Sequence, residues 1–121
     1  MKPAILIAIG LFVYSLVNSQ TVIKLEDVRQ HIGDSVTVCG KVYNARYIES
    51  ANNSPTFLNL GATYPNQLLT VVIWGEVRKN FISKPEEVFL NKNVCIIGKV
   101  EIYKDRPQVI LRKSEQIFLK E

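Results

Sequence analysis

Residues 57–74 read FLNLGATYPNQLLTVVIW, and this stretch decides the fold. It contains most of two short apolar runs, Thr56 to Leu60 and Leu68 to Trp74, on either side of the turn sequence Tyr64-Pro65-Asn66. Short apolar runs bounded by Gly, Pro and Asn are typical of paired strands. We therefore predict a second and a third strand, joined by the loop Gly61 to Gln67.

Similar strands lie on both sides of this hairpin. Upstream, residues 35–48 alternate valines with polar side chains, which predicts the first strand. Downstream, residues 93–103 and 108–112 predict a fourth and a fifth strand, with residues 104–107 as the tip between them. The tail, residues 114–119, is expected to add a short edge segment. The chain is therefore predicted to be all-β.

Helical spacing occurs in two other segments. Apolar residues of the segment 25–32 recur at intervals of three and four, which predicts a short N-terminal helix that Gly33 ends. Between Glu76 and Leu90 the strand alternation fails, and we expect a helical insert between strands three and four. There Ser83 is expected to cap a helix, with Glu86 completing a capping box.

The first nineteen residues do not resemble part of a domain. Lys2 precedes an apolar run from Ala4 to Val17, and small or tolerated residues follow up to Ser19. This pattern predicts a signal peptide over 1–19 that is cleaved before Gln20. A membrane anchor is the alternative, but the apolar run is shorter than the ~20 residues of a helical span.

The remaining residues, 20–121, form one small and mildly basic domain. The sequence of 121 residues has a formal net charge of +4, of which Lys2 supplies one unit, so the mature chain carries +3. A single modest core is what this length supports. The slight positive excess is compatible with a polyanionic ligand and does not identify one.

The segments together resemble a known family. In order they are HIGDSVTVCGKV, PTFLNLG, YPNQ, LTVVIWG, a Lys-Pro-Glu-Glu segment and VCIIGKVEIYKDRPQVIL. This order is similar to the small OB-fold domains found beside exported, thermonuclease-type nucleases, and to freestanding secreted OB proteins related to the anticodon-binding-like group. The resemblance spans Asp27 to Ile117. It implies a five-stranded Greek-key OB barrel with a nucleic-acid-binding role.

Cys39 and Cys95 are the only cysteines, and they lie on the predicted first and fourth strands. These strands are neighbours in an OB barrel, and an exported chain meets an oxidising compartment. A cross-strand disulfide forms if the register brings the two Cβ atoms within about 4.5 Å. The alternative, which we weigh equally, is a pair of small buried apolar side chains.

Candidate ligand contacts are aromatic, cationic and amide side chains near the predicted loops. OB folds bind single strands by stacking bases on aromatic rings and by placing cations along the phosphates. The predicted nucleic-acid-binding residues are Arg46, Tyr47, Asn59, Tyr64, Arg78, Tyr103, Lys104, Arg106 and Gln108. Tyr43, Phe57 and Trp74 are further candidates, although core packing is the favoured interpretation of Phe57 and Trp74. The loop cations have the alternative of an ordinary solvated surface.

Residues for catalysis are scarce. His31 is the only histidine, and the two cysteines form no CxxC motif, so the sequence predicts no metal site, cofactor or catalytic group. We expect a secreted or periplasmic protein that binds single-stranded nucleic acid or a similar polyanion, and that has an exported nuclease or envelope protein as a possible partner. The alternative is an exported module for a protein partner, a sugar or a small ligand. Without its signal peptide, the chain is not expected to span a membrane.

Overall fold

Strands make up much of residues 21–121, the part of the chain that the computed structural model describes. The predicted signal peptide lies outside the described residues. In chain order the elements are β1 (Thr21–Ile23), a 3-10 helix (Leu25–His31), β2 (Ser35–Tyr47), β3 (Thr56–Leu60), β4 (Leu69–Ile73), α1 (Gly75–Arg78), α2 (Pro85–Val88), β5 (Asn93–Lys99), β6 (Glu101–Tyr103), β7 (Arg106–Ile110), a second 3-10 helix (Ser114–Gln116) and β8 (Ile117–Leu119).

One sheet contains all eight strands, in the order β6-β7-β4-β3-β2-β5-β8, with β1 paired to β2. The predicted fourth strand is divided at Val100, so that β5 pairs with β2 whereas β6 pairs with β7. At the break, the Val100 carbonyl accepts from Gly33 N–H and the Val100 N–H donates to the Asp34 carbonyl. Val100 therefore belongs neither to the β2–β5 ladder nor to the β6–β7 ladder. The structure has eight strands and not the predicted five, because the fourth strand is divided and because β1 and β8 add to the sheet.

The sheet is not closed by a ladder between its two ends within the described residues. What the structure shows is an OB-like, mostly β fold with few helical residues. The tail forms the predicted edge segment as β8, and helical turns occur at both predicted places. The N-terminal one is a 3-10 helix.

The core lies on one face of the strands. Alternate residues of β3 and β4 are fully buried, as the sequence pattern requires for strands with one covered face. The buried cluster draws on most strands and on the N-terminal 3-10 helix, and its largest fully buried members are Leu58, Leu60, Leu69, Ile73, Ile96 and Leu111.

A bulge in β2 reverses its alternation. The register with β3 shifts between Val42 and Asn44, which leaves Tyr43 as the additional residue. Before the bulge Val42 points into the core; after it Ala45 packs against the core. Asn44 and Arg46 are therefore turned to the outer face of the sheet.

The predicted capping box at α2 does not form. Lys84 occupies the N-cap position without a side-chain hydrogen bond. Glu86 instead accepts a hydrogen bond from Arg78 at the end of α1. The carboxylate is drawn away from the helix terminus because a guanidinium offers a charge-assisted bond.

Cys39 and Cys95 face each other directly across β2 and β5. Their sulfurs are bonded at 2.06 Å, across a sequence separation of 56 residues. The strand register that puts the two residues opposite each other is what allows the bond. The disulfide thus joins the first half of β2 to β5.

Candidate nucleic-acid interface

Four polar side chains form a row across the outer face of the sheet. The strand register pairs Asn44 of β2 with Asn59 of β3, Asn59 with Thr70 of β4, and Thr70 with Gln108 of β7. Neighbouring strands lie about 4.8 Å apart, so these four residues, here called the polar row, extend over about 14 Å. Such a row is a continuous strip of hydrogen-bonding groups.

Hydrogen bonds connect most of the polar row in one direction. Gln67 Nε2 donates to Thr70 Oγ1 at 3.0 Å, Thr70 Oγ1 donates to Asn59 Oδ1 at 3.0 Å, and Asn59 Nδ2 donates to Asn44 Oδ1 at 2.9 Å. Asn59 is only 8% exposed, and its amide is held from both sides. The chain of bonds fixes the orientation of the Asn59 and Asn44 amides.

An open cavity of about 450 Å³ lies over the polar row. Phe57 and Ile48 contribute apolar surface to it, and Tyr64 enters from the loop between β3 and β4. The hairpin between β6 and β7 supplies the remaining wall, which includes Tyr103 and Pro107. Aromatic and polar side chains therefore line the same space.

Three cations border this cavity: Arg46 on β2, and Lys104 and Arg106 on the hairpin. All three side chains are exposed. Arg106 Nη1 donates to the Pro65 carbonyl, and its guanidinium carbon lies 5.7 Å from the centre of the Tyr64 ring. Arg106 therefore joins the hairpin tip to the opposite loop while its other N–H groups remain available.

The hairpin tip has an unfavourable backbone for its residues. Lys104 and Asp105 form a two-residue turn in which both have positive φ, 49° and 66°. Such turns favour Asn and Gly, because other side chains are crowded in the left-handed region. A lysine is thus held at the cavity rim at a cost of about 1 kcal/mol or more.

Seven of the nine predicted contact residues line this one cavity. They are Arg46, Asn59, Tyr64, Tyr103, Lys104, Arg106 and Gln108. The structure therefore brings together residues from β2, β3, β7, one loop and one hairpin. Their role in binding stays a prediction.

Tyr47 and Arg78, the other two predicted residues, lie elsewhere, beside Trp74. Consecutive residues of a strand point to opposite faces, so Tyr47 cannot share a face with Arg46. The Arg78 guanidinium lies 3.6 Å from the centre of the Tyr47 ring. It also binds Glu86 at 2.7 Å, and the two charged side chains are only 18% and 16% exposed. We call Tyr47, Arg78 and Glu86 the internal cluster.

Core packing was the wrong interpretation of Phe57 and Trp74. Both are half-buried, because Leu58 and Ile73 take the inward positions of the two strands. Phe57 lines the cavity, and Trp74 lies beside the internal cluster. Tyr43, at the bulge, lies outside the cavity, with Lys41 Nζ 5.0 Å from its ring.

Sequence reasoning missed Asn44, Gln67 and Thr70. A signal existed for Thr70, which is a polar residue between the apolar Leu69 and Val71 and so faces outward. Nothing in the sequence shows that it lies beside Asn59, because strand register decides which residues of two strands are neighbours.

Other site chemistry is limited in the described part of the chain. Residues 21–121 hold no group of three or more His, Cys, Asp or Glu side chains that could bind a metal ion. His31 Nδ1 lies 3.2 Å from an exposed Asp34 carboxylate. The Lys79 ammonium, 2.8 Å from Glu76, lowers the pKa of that exposed carboxyl through a hydrogen bond and through charge. None of the helices in this range has the length and hydrophobicity needed to cross a membrane.

No family model matches the sequence, and no curated protein matches it. Solved structures resemble it in fold. The structure of yeast Stn1 and Ten1 is 8% identical, with a TM-score of 0.56, over 86% of this chain and 64% of that one. An aspartyl-tRNA synthetase from Leishmania major Friedlin is 12% identical, with a TM-score of 0.52, over 84% of this chain and 21% of that one.

The protein ygiW from E. coli is 14% identical, with a TM-score of 0.46, over 83% of this chain and 90% of that one. This chain spans about a fifth of the synthetase and less than two thirds of the matched yeast chain. At these identities the likeness shows the fold alone. The described residues have an OB-like fold.

Proposed function

We propose that this protein binds single-stranded nucleic acid in the cavity over the polar row, without catalysis. The observation that carries the proposal is the convergence of Phe57, Tyr64 and Tyr103 with three cations on one open cavity. Single-strand binding needs these two elements together, since bases stack on rings while phosphates contact cations.

The rings are accessible to a ligand. Tyr64 and Tyr103 are exposed, and Phe57 is half-buried with its free surface toward the cavity. Each base that stacks on such a ring contributes roughly 1–3 kcal/mol to binding. Stacking at this site therefore provides affinity with little dependence on sequence.

The cations lie at the rim and not on the cavity floor. Arg46 is at one side, whereas Lys104 and Arg106 are on the hairpin at the other. Phosphates can therefore contact the rim while the bases enter the cavity. Each phosphate contact releases counterions, which makes affinity fall with salt by a slope of about 0.7 per contact.

Export is part of the proposal. The apolar segment before Gln20 and the bond between Cys39 and Cys95 support it, because structural disulfides persist mainly in oxidising compartments. The resemblance to OB domains beside exported nucleases further suggests that the chain assists a separate nuclease or an envelope protein.

A neutral oligosaccharide is the second candidate ligand. The observation that favours it is the polar row itself, because its amides and hydroxyl are uncharged and could bind sugar hydroxyls equally well. Oligosaccharides are among the ligands that OB folds bind on this face.

A fluorescence titration with labelled oligo-dT tests the proposal. Binding should weaken with salt, with a slope of about −2 if all three cations contact phosphates. Arg106→Ala should reduce the slope by about one contact, whereas Arg112→Ala, an exposed arginine outside the cavity, should not change it. Absence of binding at low salt would contradict the proposal. Binding of a neutral oligosaccharide instead would favour the second candidate.

A further inference from the structure

We infer that the two ends of the polar row recognise the hydrogen-bonding edges of unpaired nucleobases; this inference rests on the proposed function. The groups that would contact the bases are the amides of Asn44 and Gln108, one at each end of the row. Both line the cavity. Asn59 and Thr70, between them in the row, are occupied by hydrogen bonds to their neighbours and to Gln67.

The two contacting amides have free groups. Asn44 accepts through Oδ1, which leaves both hydrogens of its Nδ2 without a partner in residues 21–121. The Gln108 side chain makes no hydrogen bond within the same range. An amide carries two donors and an acceptor, so each of these side chains can pair with the adjacent donors and acceptors of a base edge. Because the two residues stand at opposite ends of the row, three strand spacings apart, they would contact different bases.

Thr70 and Asn59 act as positioning residues. Gln67 donates to the Thr70 hydroxyl, which therefore directs its own proton to the Asn59 carbonyl oxygen. The Asn59 amide group then donates to Asn44 Oδ1, and this bond sets the direction in which the Asn44 NH2 group points. An ordered amide gives a base edge a defined partner without ordering cost at the moment of binding. Removal of the Thr70 hydroxyl breaks this chain in the middle.

The distribution of charged side chains favours a base, and not a phosphate, over the polar row. None of the four residues of the row is a cation, and Glu101 faces Gln108 across the next strand pair. A carboxylate there disfavours a phosphate at that end. The cations border the cavity from β2 and from the hairpin, where the backbone of a strand would pass.

The test separates edge recognition from stacking. Oligo-dT is compared with an oligonucleotide of 2,4-difluorotoluene nucleosides, whose rings have the shape of thymine and stack but form poor hydrogen bonds. The protein should bind oligo-dT about 5- to 150-fold more tightly, because a good base contact contributes roughly 1–3 kcal/mol. Gln108→Ala and Thr70→Val should each reduce this ratio toward one.

Thr56→Val is the matched control for Thr70→Val. Thr56 is fully buried on the adjacent strand, and its hydroxyl has no hydrogen-bond partner among the described residues. Its removal should leave the ratio unchanged. Gln108→Ala removes no hydrogen bond of the described protein, so its effect does not depend on a loss of folding.

The outcomes distinguish this inference from the proposed function. Equal and tight binding of both oligonucleotides by the unmodified protein would overturn base-edge recognition and leave single-strand binding in place. Binding of neither oligonucleotide at low salt would overturn both. If the affinity ratio of oligo-dT to the difluorotoluene oligonucleotide stays the same in Gln108→Ala and in Thr70→Val, groups outside the polar row contact the base edge, and the inference is overturned.

Discussion

Two clusters in this molecule combine an arginine with a tyrosine, and they differ in what the arginine contacts. Arg106 lies 5.7 Å from the ring of Tyr64, is exposed, and borders an open cavity. Arg78 lies 3.6 Å from the ring of Tyr47 and is also bound to Glu86, with little exposure. The same pair of residue types therefore borders an open cavity in one place and belongs to a little-exposed ion pair in the other.

The two clusters differ in whether the charge of the arginine is paired with a carboxylate. Most of the hydrogen-bonding capacity of the Arg106 guanidinium remains available, whereas the charge of Arg78 is neutralised within the protein. A charged pair with little solvent contact is costly to break, because removal of one partner leaves the other uncompensated. Residue composition alone cannot distinguish the two clusters.

The largest expected effect concerns a feature outside both clusters. Replacement of Cys39 and Cys95 by alanine should lower the free energy of unfolding by about 4 kcal/mol, because the bond closes a long loop in the unfolded chain. Oligonucleotide affinity should stay the same where the protein remains folded. Urea denaturation with a parallel titration checks this. A loss of affinity in fully folded protein would show that the disulfide shapes the cavity.

Arg78→Ala should cause the second-largest loss of unfolding free energy. It leaves the Glu86 carboxylate without its partner, and we expect a loss of about 2–3 kcal/mol in unfolding free energy, less than for a fully buried pair. Binding of oligo-dT should change less than twofold. Denaturation and titration of the same sample measure both quantities. A tenfold loss of affinity with little loss of stability would assign Arg78 to the ligand surface and remove the distinction between the clusters.

Phe57→Ala tests whether an aromatic ring of the cavity contributes to oligonucleotide binding. Loss of a stacking ring should cost roughly 1–3 kcal/mol of binding, or about 5- to 150-fold in affinity, with an unchanged salt slope. The control is Phe118→Ala, since Phe118 is 45% exposed on β8 and does not line the cavity. Equal affinities of the two variants in a fluorescence titration would exclude stacking on Phe57.

Lys104→Asn should have the smallest effect on the unfolding free energy, and it should stabilise the protein where the preceding variants destabilise it. Asparagine tolerates the positive φ of this position, so the unfolding free energy should rise by about 0.5–1 kcal/mol. The salt slope should fall, because a rim cation is lost. Asp105→Gly, the control, relieves the same turn while keeping the lysine. A variant that is more stable yet binds with the original slope would remove Lys104 from the phosphate path.

Hydrophobic alternation was sufficient to locate most of the strands. The pattern at residues 56–60 and 69–73 requires one covered face, and those positions are strands in the structure. The division of the fourth strand could not be predicted, because it depends on the hydrogen bonds of Val100 to the distant turn at Gly33 and Asp34. Local sequence contains no information about such a contact.

The candidate site was predictable in its composition and not in its arrangement. Arg46 and Tyr47 are adjacent in sequence, and both were predicted to contact the ligand. In a strand, however, consecutive side chains point to opposite faces of the sheet. The bulge at Tyr43 decides which of the two faces outward. The polar row also depends on register across four strands, which no single segment of sequence specifies.

The most direct test of the account compares the two clusters in one experiment. Isotopically labelled protein is titrated with oligo-dT at low salt, and the amide chemical shifts of each residue are followed. We predict the largest changes at Asn59, Thr70 and Gln108, with little change at Tyr47 and Arg78. Shifts concentrated at Tyr47 and Arg78, or no shifts anywhere at saturating oligonucleotide, would contradict the claim that the cavity over the polar row binds nucleic acid.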